Sequence, residues 1–148
     1  MLTDEIKRYV DSSVLCWLAT SSINNIPNVS PKEAFTYYKN EIIIANIASP
    51  QTVKNIKVND NVCVSFIDVF IQKGFQLKGK AAIITKKDSS FRLLEKPLLD
   101  ITKGKFPFHT ITSITIEEVK PIIAPKYILY PETTEEEQIQ NAVLQYKP

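Results

Sequence analysis

The chain has few glycines, and this scarcity excludes the common glycine-rich phosphate loops. Its 148 residues include only three glycines, Gly74, Gly79 and Gly104. A Walker loop needs two glycines and a lysine at fixed spacing, and a dinucleotide fingerprint needs three glycines close together. Neither pattern can be placed here, so any bound phosphate group has to be held by other means.

Histidine and cysteine are also scarce, which argues against a zinc centre. The sequence contains one histidine, His109, and two well-separated cysteines, Cys16 and Cys63, whereas a structural zinc site takes four such ligands. No G-x-S-x-G elbow marks a hydrolase nucleophile. Both cysteines lie in apolar, strand-like runs, which predicts free, buried thiols and a cytoplasmic location.

Long apolar runs and a strong excess of one charge are missing too. No run approaches the roughly 18 apolar residues that cross a bilayer, and the N-terminal MLTDEIKRYV lacks the apolar stretch of a secretory signal. Eighteen basic and sixteen acidic residues give a net charge of +2. This weak excess suits a phosphate-bearing ligand but not a dedicated nucleic-acid-binding surface.

The chain does contain a succession of strand-like segments. Their apolar patterns predict strands over 14–21, 28–39, 41–47, 61–70, 75–85 and 110–124. Helical spacing predicts helices over 3–11, 49–59 and 88–101, and a C-terminal helix at about 133–146. Six strands with short helices between or after them predict one mainly β domain over residues 1–148, built as a small barrel.

The most informative short segment joins the strand over 41–47 to the helix that follows it. Ser49 is a good N-cap residue and Pro50 suits the first helical position, so capping alone explains this serine. Gln51 and Thr52 add hydrogen-bonding groups in the first turn, where free backbone N–H groups attract anions. The pattern therefore fits either a plain capping turn or an anion-binding turn.

Two further segments contain irregular strands with lysine. In PNVSPKEAF, residues 27–35, Pro31 separates Ser30 from Lys32, which is typical of an edge strand or a bulge that redirects side chains. We expect this strand to pair with 41–47 as a hairpin, which would bring Lys32 towards Ser49. In LKGKA, residues 77–81, Gly79 interrupts a strand and indicates a bulge or a close backbone approach.

Three segments, in order and spacing, resemble the pyridoxamine 5'-phosphate oxidase-like family of FMN-binding split barrels. They are LATSSINNIPNVSPKEAF, IIIANIASPQTVKNIKVNDNVCVSF and GFQLKGKAAII, and the resemblance covers roughly residues 12–128. It implies a six-stranded Greek-key split barrel, a homodimer, and one FMN in each of two clefts between the subunits. The vitamin oxidases carry further arginines for their substrate, whereas this chain has only Arg8 and Arg92, both in predicted helices.

The resemblance also implies a set of cofactor-binding residues. Those that would line the flavin and border its ring are Asn28, Val29, Ser30, Lys32, Ala45, Asn46 and Ile47. Those that would meet its phosphate are Ser49, Gln51, Thr52 and Asn55, with Lys32 as the ionic partner.

The loop KGKFPFH, residues 103–109, combines aromatic rings with lysines. These residue types suit a lid over a flat ring with a charged tail, so Phe106 and Phe108 are predicted to reach the partner subunit's cofactor cleft. A surface loop packed on its own barrel is the alternative.

Together these observations favour an FMN-dependent oxidoreductase with a small-molecule electron donor or acceptor and an unassigned substrate. His109, Tyr37 and Tyr38 are its only plausible proton donors. The alternatives are a non-catalytic flavin or haem carrier, a deazaflavin protein, and an oligonucleotide-binding barrel. The last would need exposed aromatic rings, whereas Phe66, Phe70 and Phe75 lie in apolar strand patterns typical of a core.

The aromatic content gives a separate reason to expect a homodimer. A small barrel core cannot take in every one of the following side chains: Trp17, Tyr37, Tyr38, Phe106 and Phe108. Large exposed apolar patches usually mark interfaces.

Overall fold

One curled antiparallel sheet of seven strands forms the body of the protein. The structure is a computed structural model that describes residues 1–148. The strands are β1 (Cys16–Ser21), β2 (Pro27–Lys32), β3 (Phe35–Tyr38), β4 (Glu41–Ala45), β5 (Asn61–Asp68), β6 (Lys73–Thr85) and β7 (Thr110–Ile123). They lie in the order β2-β1-β5-β6-β7-β4-β3. The sheet curls as a half-barrel, so the predicted split-barrel fold is confirmed, with seven strands in place of six.

The additional strand comes from a break in the segment predicted as a single bent strand over 28–39. β2 ends at Lys32 and pairs with β1, whereas β3 begins at Phe35 and pairs with β4. The expected hairpin between the Lys32 strand and β4 is therefore wrong, since β3 occupies that position. β2 lies at the edge of the sheet, where Pro31 removes no hydrogen bond that a central ladder needs.

Five helices accompany the sheet. They are α1 (Asp4–Ser12), α2 (Pro50–Val58), α3 (Phe91–Thr102), α4 (Pro125–Leu129) and α5 (Glu135–Tyr146). Thr3 and Thr134 cap α1 and α5 through their side-chain hydroxyls. None of the five has the length and apolar character that a membrane-spanning helix needs.

The strand that leads to the candidate anion-binding turn, β4, is buried on both faces. Ile42 and Ile44 belong to the main core inside the curl, which α1 closes with Ile6 and Val10. Ile43 and Ala45 belong to a second cluster, in which α3 packs on the outside of the sheet. This double burial explains the continuous apolar run EIIIA, and it fixes the end of β4 from both sides.

The interruption at Gly79 is a bulge, as predicted. The register between β6 and β7 shifts between Lys78 and Gly79. A Cβ atom at Gly79 would lie 2.0 Å from the carbonyl oxygen of Thr115 on β7. The chain needs glycine here because the neighbouring backbone fills the space that any side chain would occupy.

The aromatic side chains are distributed unevenly between core and surface. Phe66 and Phe75 are buried, which speaks against a base-stacking platform on these strands. Phe70 is 45% exposed just beyond the end of β5, so the prediction of a core position is wrong for this residue. Phe108 is buried as well, beneath α3, whereas Trp17 is 49% exposed and Phe106 is 57% exposed. The prediction that some aromatic side chains lie outside the core is therefore confirmed for Trp17 and Phe106 and wrong for Phe108.

The two cysteines are free thiols in different surroundings. Cys16 is fully buried, and burial raises its thiol pKa to about 12. Cys63 is only half-buried, so the prediction of a buried thiol is wrong for this residue. Its pKa is also raised, mainly by loss of hydration, which leaves neither thiol activated as a nucleophile.

Candidate functional site

A lysine and three hydroxyl groups meet between β2 and the start of α2. The Lys32 Nζ donates hydrogen bonds to the Ser49 Oγ at 2.5 Å and to the Thr52 Oγ1 at 3.3 Å. The Ser30 Oγ lies 3.5 Å from the same Thr52 oxygen. We call Ser30, Lys32, Ser49 and Thr52 the cradle. Lys32 therefore lies beside the turn at Ser49, as the sequence predicts, although β2 does not pair with β4.

The ammonium group of the cradle is buried and has no acidic partner. Lys32 is only 7% exposed, and burial lowers the pKa of its amine. The three ion pairs of the protein, Lys73–Glu135, Lys78–Glu118 and Lys80–Asp60, lie elsewhere. Burying a charge costs free energy unless a counter-charge compensates it. The cradle thus holds an uncompensated positive charge that an anion would neutralise.

The first turn of α2 is not capped by the side chain of Ser49. Ser49 occupies the N-cap position, but its hydroxyl donates to the Ile47 carbonyl at 2.9 Å and accepts from Lys32. Of the two alternatives for this turn, plain capping by the Ser49 side chain is therefore not what the structure shows. Because no side chain caps the helix, N–H groups at its first turn remain available to a ligand, together with the positive end of its dipole.

The turn into α2 has a demanding backbone. Ala48 lies in the left-handed region with φ of 47°, which is unfavourable for a residue with a Cβ atom. Pro50 follows at the first helical position. Non-glycine residues in this conformation persist where surrounding structure imposes it, and they are concentrated at functional sites.

Two other predicted residues anchor α2 to the barrel. The Gln51 Nε2 donates to the Asn55 Oδ1 at 2.8 Å, and the Asn55 Nδ2 donates to the Thr20 Oγ1 at 3.0 Å. Asn55 is 1% exposed, so its amide serves the interior. These bonds fix the helix start against β1 and so hold Thr52 in place beside Lys32.

A cavity of about 310 Å³ adjoins the cradle. Its lining is mainly apolar and consists of Pro31, Lys32, Glu33, Ala34, Ala45, Ile47, Ile101, Thr102 and Phe106. We call it the α3 cavity, because Ile101 and Thr102 belong to the last turn of that helix. Its volume lies in the range of small-molecule sites, and Lys32 is the residue shared by cavity and cradle.

One hydroxyl group at the α3 cavity has no partner. The Thr102 Oγ1 is buried without a hydrogen bond, and it is the only such side-chain atom in the protein. Buried polar groups in native proteins are almost always paired. Thr102 also lines the α3 cavity, so a polar ligand edge there would lie next to a hydroxyl group that lacks a partner.

The remaining predicted site residues are distributed as follows. Ala45, Ile47 and Phe106 line the α3 cavity, so Phe106 lies at a cleft of its own chain. Asn28 is half-buried on the same side of β2 as Ser30 and Lys32, whereas Val29 points the other way and is 61% exposed.

Several residues at the site were not predicted from the sequence. Thr110 and Thr112 on β7 are two of them, and they form hydrogen bonds of 3.1 and 2.8 Å with the side chain of Asn46, which was predicted. Thr20, Ile101 and Thr102 were not predicted either. Alternating threonines in TITSITI read only as a half-buried strand, since their contacts depend on strand pairing across more than 60 residues of sequence.

Comparison with known protein families identifies the family of this chain. The model of the pyridoxamine 5'-phosphate oxidase family matches residues 2–123. The chain belongs to this family. No curated protein matches the chain.

Several solved structures share the fold of this member of the pyridoxamine 5'-phosphate oxidase family. HupZ of Group A Streptococcus is 22% identical with a TM-score of 0.72, over 84% of this chain and 96% of its own. An FMN-binding protein from Syntrophomonas wolfei is 17% identical with a TM-score of 0.69, over 81% and 85%. HutZ, the haem storage protein of Vibrio cholerae, is 16% identical with a TM-score of 0.63, over 82% and 94%.

These likenesses establish the split-barrel fold of this family member and leave its ligand to be argued from its own residues. The structure contains no group of three or more His, Cys, Asp or Glu side chains that could hold a metal ion.

Proposed function

We propose that this protein is an FMN-dependent oxidoreductase of the pyridoxamine 5'-phosphate oxidase family, with its FMN phosphate bound at the cradle. The observation that carries the proposal is the buried Lys32 ammonium without an acidic partner, facing an uncapped helix start. A phosphate dianion supplies the missing counter-charge and accepts hydrogen bonds from the lysine, the hydroxyls and the first-turn N–H groups.

The α3 cavity fits the ring of the same cofactor. Its apolar lining from Ala45, Ile47 and Phe106 suits a flat aromatic ring, and it begins at Lys32, where the phosphate end would lie. The unpaired Thr102 hydroxyl offers a hydrogen bond to a ring edge that carries nitrogen and oxygen atoms. The residues present therefore fit a flavin phosphate at both of its ends.

The chemistry would come from the flavin, which transfers hydride or single electrons when bound. The chain itself contributes binding, orientation and shielding from water. His109 is exposed and does not line the α3 cavity. Tyr38 lies in a separate groove near the first turns of α3, beside Glu41 and Ser113. We therefore assign no proton donor, and we propose a small-molecule electron donor or acceptor as the partner.

A haem carrier is the second candidate, because the fold is shared with a haem storage protein. Haem iron is usually held by His, Cys, Met or Tyr. None of these residue types lines the α3 cavity, which favours the flavin. A deazaflavin carrying the same phosphate is compatible with the cradle and is separated from FMN by its absorption spectrum.

The direct test is the spectrum of the purified protein. We expect a yellow protein that releases FMN on denaturation, identified by mass, and that binds added FMN in one cradle per chain. Reduction by a nicotinamide cofactor followed by oxidation by an acceptor would establish turnover and exclude a simple carrier. A Soret band in place of flavin absorption would overturn the proposal in favour of the haem carrier.

We also propose that the protein works as a homodimer in the cytoplasm. The outer surface carries a continuous apolar patch, since two adjoining grooves share Ile67, Val69 and Ile122 and are flanked by the exposed Trp17 and Phe70. Patches of this kind usually mark protein interfaces. The free thiols suit a reducing compartment.

Sedimentation velocity at micromolar concentration should give a dimer. Trp17→Glu should shift the protein towards monomer, because it places a charge on an exposed position of the patch, while Ile128→Glu on α4 serves as an exposed control outside both grooves. A flavin-loaded monomer would contradict the proposed assembly.

A further inference from the structure

A second cavity, of about 400 Å³, lies along the first two turns of α2. It is lined by Asn46, Ser49, Pro50, Val53, Lys54, Lys57 and Thr110. We call it the α2 cavity. It shares Ser49 with the cradle, so a group bound there is a neighbour of whatever the cradle holds. Unlike the α3 cavity, its lining is mainly polar and contains no aromatic ring.

The α2 cavity is positively charged and has no acidic residue in its lining. Lys54 and Lys57 are three positions apart on α2, so their side chains project from the same face of the helix. Neither lysine takes part in an ion pair. Two unpaired ammonium groups at one cavity attract an anion of more than one charge.

The wall next to these lysines is rigid and offers further polar groups. The Asn46 side chain is 9% exposed. It donates to the Thr110 Oγ1 and accepts from the Thr112 Oγ1. Its orientation is therefore fixed before any ligand arrives. The Thr110 hydroxyl lines the same cavity and can donate to an anion, because it acts as an acceptor towards Asn46.

We propose that the α2 cavity is a binding site for a second phosphate-type anion, next to the cofactor phosphate. The inference rests on the proposed function for the placement of that first phosphate at the cradle. Two sources share this chemistry. One is a cofactor such as FAD, in which a second phosphate is joined to the flavin phosphate. The other is a separate phosphate-bearing substrate that binds beside FMN.

Pyrophosphate is a suitable probe because it carries the anion without the rest of either ligand. It is titrated by calorimetry into FMN-saturated protein, in which the cradle is already filled. Lys54→Ala/Lys57→Ala should weaken pyrophosphate binding by about tenfold or more, since it removes both charge-assisted contacts. Lys86→Ala/Lys87→Ala removes the same charge from an exposed turn outside the cavity and should leave binding unchanged.

The two sources are separated by loading the protein with FAD. If the α2 cavity receives the distal phosphate of the cofactor, FAD-loaded protein loses pyrophosphate binding, and Lys54→Ala/Lys57→Ala weakens FAD but not FMN. If it receives a separate substrate, FAD binds no better than FMN and the FAD-loaded protein retains pyrophosphate binding.

Equal pyrophosphate affinity in both double variants, or none in the wild type, would overturn this proposal. Its failure is distinguishable from failure of the proposed function. If FMN does not bind at all, the same titration is made with Lys32→Met protein, which lacks the charge of the cradle but keeps the α2 cavity. Pyrophosphate binding that still depends on Lys54 and Lys57 would then support the α2 cavity and reject only the flavin.

Discussion

Lys32→Met is expected to weaken FMN binding about ten- to hundredfold. The substitution keeps an unbranched apolar stem but removes the ammonium group that donates to Ser49 and Thr52 and that lacks an acidic partner. A hydrogen bond to a charged group contributes about 1.5–3 kcal/mol, which corresponds to that range of affinity. The measurement is a fluorescence titration of apoprotein with FMN.

Two comparisons make this result specific. Thr52→Val keeps the shape of the cradle and removes one hydroxyl, so its loss should be smaller, about fivefold. Lys96→Met removes a charge from the exposed side of α3 and should leave FMN affinity unchanged. Equal affinities for the wild type and Lys32→Met would show that the cradle does not bind the phosphate.

The same substitution should act in the opposite direction on the stability of the apoprotein. Burial lowers the pKa of Lys32 in the folded state below its ordinary value. The unfolded chain therefore holds the proton more tightly, and the wild type carries a penalty that is complete below the folded-state pKa and is relieved as the pH rises through it. Lys32→Met should melt at a higher temperature than the wild type near neutral pH, and the difference should shrink as the pH rises through the lowered pKa of Lys32 towards the ordinary lysine pKa of 10.5.

Gly79→Ala is expected to lower the free energy of unfolding by about 3 kcal/mol or more. A Cβ atom at this position would lie 2.0 Å from a backbone oxygen of Thr115. The bulge in the β6–β7 ladder, the longest pairing in the sheet, would have to shift to make room. Forcing atoms into a packed interior costs 1–3 kcal/mol and more where backbone has to move. The melting temperature should fall by about 6–12 °C for a chain of this size.

Gly104→Ala is the matched control for this substitution. Gly104 has φ of 68° but nothing lies within 4 Å of its prospective Cβ atom. Alanine there carries only the left-handed backbone penalty of about 1–2 kcal/mol. Similar melting temperatures for the two variants would contradict the view that contact with Thr115, and not backbone conformation, requires glycine at position 79.

The sequence predicted the segments whose local chemistry is self-contained. The apolar run EIIIA, the bulge at Gly79, and the helix beginning at Pro50 all depend on residues adjacent to one another. The group Ser30, Lys32, Ser49 and Thr52 was assembled through a family resemblance, and the structure brings these side chains within hydrogen-bonding distance.

The features that the sequence did not predict depend on pairing between distant segments. Lys32 was expected to reach Ser49 through a hairpin between its strand and β4. In the structure it reaches Ser49 from the edge strand β2, which pairs with β1. The residue type and position of Ser49 are typical of an N-cap. Its hydroxyl instead accepts a hydrogen bond from Lys32 and donates one to the Ile47 carbonyl. Thr102 looked like the end of an ordinary helix, and only its burial reveals an unpaired hydroxyl.

The central claim is that Lys32 recognises the phosphate of the cofactor. A double comparison tests it most directly: the affinities of FMN and of riboflavin, which lacks the phosphate, are measured for wild-type protein and for Lys32→Met. We predict that the wild type prefers FMN and that the variant loses about ten- to hundredfold of this preference while its riboflavin affinity is unchanged. An FMN preference that survives the substitution, or an equal loss of affinity for both flavins, would contradict the claim.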